Sequence, residues 1–471
     1  MKKYITGWPV LLAGLLLTAC KVSEDTNNSL APLPEHFRNA PTNETASIAD
    51  LEWKSFFTEA TLQNLIDSAI AKNYDMQVAV KNIEAANLQL KQTRWNYVPE
   101  INLQVSSSTN RPSGNSVTGL NLRQFDLGTK HINDYTTGVG FSWEADIWGK
   151  IRNQQKSALA TYLQTQEARK AIQTNIVAAV SKGFYNLLML DAQLKIAQKN
   201  IALNDSTLAI IRLQYQAGQV TALAVQQAEA QQQAATQLLP QFEQNMAIQE
   251  NFLKILAGEL PDKVERSITL EQLTLPEEIA AGVPSALVSR RPDVKSNELA
   301  LTIANANLGI TKANMYPALR ITANGGINSF SSSNWFNVPA SLFGVVSGSV
   351  LQPVMQSKRL RTQYEIAKIA RDKAVIQFRQ AVLVAVGETS DALVKIEKLK
   401  SQEATANQRV QTLRQATANA NMLFKSGLAN YLEVITAQSN VLQSELTLAA
   451  IKRQRLDAVT DLYAALGGGW K

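Results

Sequence analysis

The chain contains one cysteine in 471 residues and only two histidines, His36 and His131. A single cysteine excludes an intrachain disulfide, and so few cysteines and histidines leave no cluster that would bind a metal ion. A glycine-rich nucleotide-binding loop and a nucleophile elbow are also missing. These absences argue against an enzyme and predict a chain with neither a cofactor nor a metal site.

Long apolar runs and blocks of basic residues are missing as well. The chain has 46 Lys and Arg residues and 39 Asp and Glu residues. Without Lys2 and Lys3, 44 basic residues remain, and the net charge is +5. This weak, dispersed charge argues against a nucleic acid partner. Beyond the N-terminus no stretch is long and apolar enough to cross a bilayer as a helix, so any membrane-spanning part is expected to be a β-barrel.

The first 19 residues have the features of a signal peptide, with a basic start and a short apolar segment at 10–19. The segment ends in LTAC, which resembles a bacterial lipoprotein box and predicts that Cys20 is lipidated and becomes the mature N-terminus. The alternative is an incidental thiol. Lys21 follows it, and not the Asp that often retains such lipoproteins in the inner membrane, so the expected location is the outer membrane.

The sequence repeats itself along its length. Four pairs of identical residues stand 218 positions apart: Asp75 and Asp293, Asn87 and Asn305, Leu90 and Leu308, Pro99 and Pro317. In each copy a helix-like stretch ends at the proline. Apolar residues then alternate as in a strand: Ile101, Leu103 and Val105 in the first copy, Leu319, Ile321 and Ala323 in the second.

A second offset of 209 positions relates Gly218 to Gly427 and Gly258 to Gly467. Each half is therefore predicted to contain a helix, two strands and a hairpin of long helices. The further strands are expected around 138–143 and 343–351, and the long helices at 150–216, 219–256, 358–425 and 430–466. Pro240 is expected to kink or interrupt the second of these.

The predicted organisation is a signal peptide at 1–19, a lipidated extended segment at 20–60, a first repeat at 61–257, a connector at 258–285 and a second repeat at 286–471. A helix of about 65 residues is about 100 Å long, far longer than a globular domain needs. In the last helix two apolar lines follow heptad spacing: Leu432, Ile435, Leu442, Leu446, Ala449 and Leu456, and Val434, Val441, Leu448 and Leu462. Two lines predict a neighbour on each side, as in a wall; the alternative is an ordinary helical bundle.

Four strands cannot close into a barrel, and open strand edges are not tolerated in lipid. Single-chain barrels begin at about eight strands. Three copies of the chain would supply twelve strands, so the sequence predicts a homotrimer.

The chain resembles the outer membrane factors of the TolC superfamily, in the lipoprotein branch that serves resistance–nodulation–division pumps. The stretches that carry the resemblance are the lipoprotein box at Cys20, FSWEADIWGKIR at 141–152, SRRPDVKSNELAL with ANANLGITKANMYPAL at 289–319, and ALGGGW at 465–470. The resemblance implies a mainly α-helical chain with a β-barrel part: a trimeric, twelve-stranded outer-membrane β-barrel continued by a long periplasmic α-helical barrel. It also implies passive transport, with a periplasmic adaptor, an inner-membrane pump and outer-membrane lipid as partners.

The turns at Gly218 and Gly427 are expected at the periplasmic tip, since glycine ends helices in the left-handed conformation. Asn430 has the position of an N-cap with Glu433 at N3, and Thr221 is its counterpart 209 residues earlier. By resemblance, the constriction lies just after this turn, on Leu432, Glu433 and Thr436. The alternatives are helix capping for Glu433 and seam packing for Leu432.

This sequence departs from the family at the constriction. Thr436 stands where relatives often have Asp, so one acidic ring is missing. Relatives also close the gate with a Tyr–Asp hydrogen bond, whereas the matching positions here are Phe424 and Ala224, which cannot form it. How the gate is held closed therefore stays open.

Two other functions remain as alternatives, a coiled-coil structural or adaptor lipoprotein of the periplasm and an exit duct for type I protein secretion. Four alternating strands argue against the first, because an adaptor needs no lipid-facing surface. The lipoprotein box and the ending at 465–470 favour small-molecule efflux over the second. The resemblance does not fix the exported substrate, because the pump selects it; drugs, detergents and metal ions remain open.

Overall fold

The computed structural model describes Phe37 and residues 47–124, 130–273 and 281–471. The predicted signal peptide at 1–19, Cys20 and most of the segment at 20–60 lie outside these described residues. The helices, in chain order, are α1 (Trp53–Phe56), α2 (Ala60–Lys72), α3 (Tyr74–Trp95), α4 (Val117–Gln124), α5 (Lys150–Gln216), α6 (Ala222–Leu256), α7 (Leu287–Arg290), α8 (Pro292–Ala313), α9 (Arg359–Lys425) and α10 (Tyr431–Ala465). The strands are β1 (Glu100–Asn110), β2 (Ile132–Glu144), β3 (Ala318–Ser329) and β4 (Leu342–Leu351).

The four long helices confirm the order and the approximate bounds predicted from the repeat. Helix α5 spans the predicted residues 150–216, while α6, α9 and α10 begin one to three residues later than predicted. The second strand of each repeat, predicted around 138–143 and 343–351, is present as β2 and β4. Both strands are longer than predicted. Within the described ranges, no helix combines the length and the apolar character that crossing a membrane requires.

Of the two outcomes predicted at Pro240, the interruption is wrong, because α6 is helical on both sides of it and through it, and the kink stays a prediction. Proline removes one backbone hydrogen bond from a helix interior. Apolar neighbours compensate here: Phe242 is buried against Leu190 and Ala197 of α5, and Leu239 packs against the same cluster. Tertiary packing therefore outweighs the local preference against a helix.

One compact unit contains the four strands; its described part covers 84–124, 130–163 and 299–376. The strands form an antiparallel sheet in the order β1-β2-β3-β4. Helix α4 lies in the connection between β1 and β2, and a 3-10 turn at Ser332–Asn334 lies between β3 and β4. Each strand is 10 to 13 residues long, which is sufficient to cross a membrane when tilted.

The other compact unit covers the described residues in 29–83, 164–298 and 377–471. Its largest apolar cluster joins α2 and α5 to the C-terminal helix, with Ile66, Phe184 and Tyr463 each no more than 1% exposed. Burying such a side chain contributes about 1.5–3 kcal/mol. The Tyr463 ring stacks on Phe56 at 4.1 Å, and its hydroxyl donates to the carbonyl of Leu51 at 2.8 Å. This packing fixes the segment before α2 against the end of α10.

Candidate functional site

The sheet presents one apolar face. Side chains alternate between the faces along each strand, and the strand register places the following residues on the same side: Ile101, Leu103, Val105, Val139, Phe141, Trp143, Leu319, Ile321, Ala323, Ile327, Leu342, Val346 and Val350. Several of them are largely exposed, including Leu103 at 75% and Val346 at 80%. A contiguous exposed apolar surface is typical of a contact with lipid or with another protein.

The opposite face is mostly polar and carries Asn102, Gln104, Ser106, Thr136, Ser142, Thr322, Asn324, Ser347 and Ser349, with Phe343, Val345 and Leu351 of β4 as apolar exceptions. The charged residues of the strands stand only near their ends: Glu100, Asp134, Glu144 and Arg320. Glu144 accepts from Lys150 at 2.9 Å and from Arg320 at 3.4 Å. A sheet with one apolar and one hydrated face can separate a lipid phase from water.

Both outer strands of this sheet have an open edge. In the described part of the chain β1 pairs only with β2, and β4 pairs only with β3. An open edge exposes a row of backbone donors and acceptors that are available to another strand. The sheet is therefore suited to pairing with further copies of the chain.

The two predicted helix-ending turns are confirmed at the ends of α5 and α9. Gly218 and Gly427 both have φ of +72°, the left-handed region that glycine adopts without strain. The amide of Gln219 donates to the carbonyl of Gln214, and the amide of Leu428 donates to that of Leu423, both at 2.9 Å. The two turns thus share one hydrogen-bonding pattern, 209 residues apart.

The helices that follow the turns are capped differently. Asn430 is the N-cap of α10, and its Oδ1 accepts from the amides of Leu432 at 3.0 Å and Glu433 at 3.1 Å. Thr221 has the same position before α6, but its side chain forms no capping hydrogen bond. The start of α10 is consequently more firmly fixed than that of α6.

The residues predicted to form the constriction lie on the first two turns of α10. Leu432 is 53% exposed, and Glu433 and Thr436 are exposed as well. Within one chain Leu432 therefore does not pack in a helical seam. Its position leaves it free to meet another copy, and the role of these three residues in a constriction stays a prediction.

The positions that match the family's Tyr–Asp pair lie together in a buried apolar cluster, which we call the tip cluster. It contains Leu208, Ile211, Ala224, Ala228, Phe424 and Val434. Phe424 is 4% exposed, and Ala224 and Val434 are fully buried. The four long helices are thus joined at the tip by apolar packing, where the family resemblance implies a polar bond.

An ion-pair network that the sequence did not single out lies around Arg291, whose side chain is 9% exposed. Its guanidinium group contacts Asp293 and Glu388 at 2.7 Å and donates to the carbonyl of Ala465 at 3.1 Å. Burial raises the pKa of the Asp293 carboxyl, but the hydrogen bonds and charge of Arg291 hold it below its ordinary value. The signal in the sequence was the adjacency of arginine, proline and aspartate at the start of α8.

No metal-binding constellation is present among the described residues. Groups of three or more His, Cys, Asp and Glu side chains placed to hold a metal ion are absent from 47–124, 130–273 and 281–471. Cys20, the predicted site of lipid attachment, lies outside the described residues. The features that distinguish this chain are its two-faced sheet and its long helical hairpins.

Comparison with known proteins agrees with these features. The model of the outer membrane efflux protein family matches residues 65–259 and 283–468. The cation efflux system protein CusC of Escherichia coli is 27% identical over 97% of both chains, and the probable efflux pump outer membrane protein TtgC of Pseudomonas putida is 27% identical over 98% of this chain and 94% of its own. The open state of the Neisseria gonorrhoeae outer membrane channel MtrE has the same fold, with a TM-score of 0.84 at 23% identity over 96% of this chain and 99% of the other. The chain therefore belongs to the outer membrane efflux protein family, whose members are passive channels and not enzymes.

Proposed function

We propose that three copies of this chain form the exit duct of a tripartite efflux system, which conducts substrates passively across the outer membrane. The observation that carries the proposal is the sheet with an apolar face, a polar face and two open edges. Unpaired backbone groups are strongly unfavourable in lipid, so the edges require partners. Pairing β4 of one copy with β1 of the next would give a closed barrel of twelve strands, apolar outside and hydrated inside.

The long helices support a tunnel on the periplasmic side of this barrel. Helices α5 and α9 have 67 residues each, which corresponds to about 100 Å along the helix. The free ends of the hairpins would then face a periplasmic adaptor and an inner-membrane pump of the resistance–nodulation–division class. The relatives named as parts of a cation efflux system and of an efflux pump are consistent with such partners.

A lipid on Cys20 would add a second anchor beside the barrel. The short apolar segment followed by LTAC motivates this proposal. Intact-mass spectrometry of the protein from outer membranes should find a mature chain that starts at Cys20 and carries acyl groups. A chain that starts elsewhere, or that carries no lipid, would contradict it.

The narrowest part of the duct is proposed at Leu432 and Glu433, with Thr436 one turn further along α10. Leu432 and Glu433 lie directly after the Asn430 cap and are exposed in the single chain. Three copies would place three leucines and three carboxylates around one axis. A ring of carboxylates favours cations over anions.

Planar-bilayer recording of the full-length protein tests both the duct and the constriction. Leu432→Ala with Glu433→Ala is expected to increase the conductance and to weaken the preference for cations. Leu223→Ala is the matched control, because Leu223 stands 209 residues before Leu432 and is 56% exposed. A wild-type protein that forms no channel would contradict the exit duct, and an unchanged double variant would contradict the constriction alone.

A further inference from the structure

A layer of buried polar side chains lies next to the tip cluster, on the side away from the turns. This polar layer consists of Asn200, Asn204 and Thr207 of α5, Thr417 of α9 and Gln438 of α10, which are 4%, 3%, 5%, 6% and 0% exposed. Along α5 it separates the tip cluster from a second apolar cluster around Leu190 and Ala197. Polar side chains thus interrupt the apolar packing about one and a half turns beyond Leu432 and Glu433 of α10.

Two members of the polar layer donate to the backbone of α10 from different neighbouring helices. Asn200 Nδ2 of α5 donates to the carbonyl of Gln438 at 3.2 Å. The Thr417 hydroxyl of α9 shares its one hydrogen between the carbonyl of Ala437 at 3.1 Å and the carbonyl of Leu413 in its own helix at 2.8 Å. In an α-helix the carbonyls of Ala437 and Gln438 also accept from the amides four residues later, which belong to Val441 and Leu442. A carbonyl that also accepts from a side chain forms a weaker hydrogen bond with its own helix. Helices bend at places where a side chain competes for the hydrogen bonds of the helix backbone.

The polar layer is also incompletely satisfied. Gln438 Nε2 donates to Thr207 Oγ1 at 2.8 Å, and Asn204 Nδ2 donates to Asn200 Oδ1 at 2.9 Å. Gln438 Oε1 and Asn204 Oδ1 are buried without a hydrogen-bond partner. Burying an oxygen without a donor is destabilising, so this level of the wall resists movement less than the apolar clusters on either side.

The first hairpin has no corresponding arrangement. With the offset of 209 residues, Thr417 corresponds to Leu208, which has no donor, and Gln438 corresponds to Glu229. Glu229 lies at the surface and accepts from Arg212 at 2.7 Å. The contacts to the helix backbone therefore belong only to the hairpin that carries the proposed constriction residues.

We propose that Asn200 and Thr417 are positioning residues that create a bending point in α10 at Ala437–Gln438. The turns of α10 before this point carry Leu432 and Glu433, so bending there moves both residues together relative to the rest of the wall. This inference rests on the proposed constriction for its functional meaning. The bending point itself is a property of α10 and can be measured independently of conduction.

Hydrogen exchange followed by mass spectrometry on the full-length protein in detergent measures the bending point directly. Thr417→Val keeps the shape of the side chain and removes its donor, so the amide of Val441 is expected to exchange about three- to tenfold more slowly. Thr417→Ser keeps the hydroxyl, so in this variant the amide of Val441 should exchange as fast as in the wild type. Thr412→Val is the matched control, because the Thr412 hydroxyl donates to the carbonyl of Gln408 at 3.0 Å within α9, as Thr417 does to Leu413 at 2.8 Å, so this substitution removes only the contact within α9.

A second variant and a second measurement make the test independent of one substitution. Asn200→Leu should slow the exchange of the Leu442 amide in the same way. In planar bilayers, Thr417→Val should make channel openings about three- to tenfold rarer, and Thr417→Ser should restore them. Unchanged exchange at Val441 and Leu442, slower exchange along the whole of α10, or equal effects of Val and Ser at position 417 would each overturn the proposal. A wild-type protein that forms no channel would count against the proposed function, while the exchange data would still decide the bending point.

Discussion

Four glycines with positive φ end the long helices, and they form two pairs with different surroundings. At Gly218 and Gly427 an added Cβ atom would meet nothing within 4 Å. At Gly258, with φ of +68°, it would lie 2.5 Å from the carbonyl oxygen of Lys72. At the tip turns glycine is therefore required only because it adopts a positive φ without strain. At Gly258, at the other end of the hairpin, it is also required because a backbone packs closely against it.

Alanine at these positions should separate the two effects. Gly427→Ala is expected to destabilise the protein by about 1–2 kcal/mol, the usual penalty of a left-handed conformation for a residue with a Cβ atom. Gly258→Ala adds a collision with backbone, so its loss should exceed about 3 kcal/mol. Thermal unfolding in detergent, compared between the two variants, measures the difference. Equal losses would contradict the role assigned to the contact with Lys72.

The carboxyl group of Asp457 is buried on α10 beside a side chain of opposite charge. Its side chain is 17% exposed, and Arg453 lies 3.5 Å away. Burial raises the pKa of Asp457 to about 6, despite the positive charges of Arg453 and Lys182. Since the unfolded pKa is about 3.9, the folded state binds the proton more tightly than the unfolded state does.

This pKa shift predicts a dependence of stability on pH. The contribution of Asp457 is fully present below about pH 4 and is lost as the pH rises through about 6, a change of about 3 kcal/mol. Asp457→Asn should remove this dependence of stability on pH. Asp391→Asn, at an exposed position, is the control and should retain it. Thermal unfolding between pH 4 and pH 7 measures the slope, and the same slope in Asp457→Asn would show that another group causes it.

Among the helices, α6 is unusual because it contains an exposed proline in its interior. Pro240→Ala restores an amide that can donate to the carbonyl of Thr236, four residues earlier. We expect a gain of about 1–3 kcal/mol, which appears as a higher unfolding temperature. Gln241→Ala at the neighbouring exposed position controls for surface effects. A lower unfolding temperature in Pro240→Ala would mean that the packing of Phe242 depends on the proline.

Sequence patterns located the long helices closely because their ends carry chemical signals. Gly218, Gly427 and the Asn430 cap mark such ends, and each forms the expected turn or cap. Helix α4 was missed, since its eight residues lie in a region rich in Ser, Thr, Asn and Gly and are too few to show a period. The polar layer was missed for another reason. Gln438 resembles the many exposed glutamines of these helices until the neighbouring helix buries it.

At the scale of the whole chain, the internal repeat extends to individual contacts. Asn73 Nδ2 donates to the carbonyl of Leu256 at 3.1 Å, and Arg291 donates to the carbonyl of Ala465 at the same distance. Asn73 corresponds to Arg291 by the offset of 218 residues, and Leu256 corresponds to Ala465 by the offset of 209 residues. The two halves therefore close their hairpins in the same way, while the ion pairs beside these contacts differ. Glu259 pairs with Lys72 and Lys254 in the first half, and Arg291 pairs with Asp293 and Glu388 in the second.

The trimer is the prediction that depends on the complete molecule. The two halves supply two strands each, and four strands leave β1 and β4 with open edges whose apolar side chains, such as Leu103 and Val346, are exposed. Further copies of the same chain offer the complementary edge, and three copies, the number that the family resemblance implies, supply twelve strands, which can close in a membrane. Native mass spectrometry of the protein in detergent should therefore give a mass of three chains. Leu103→Arg with Val346→Arg should prevent insertion into lipid, because an arginine on the lipid-facing side of a strand is unfavourable by about 2–4 kcal/mol at the middle of the bilayer. The same two substitutions at Gln104 and Ser347 of the polar face should insert and assemble as the wild type does. A stable monomer that retains its strands would contradict the trimer, and equal insertion of both double variants would contradict the assignment of the faces.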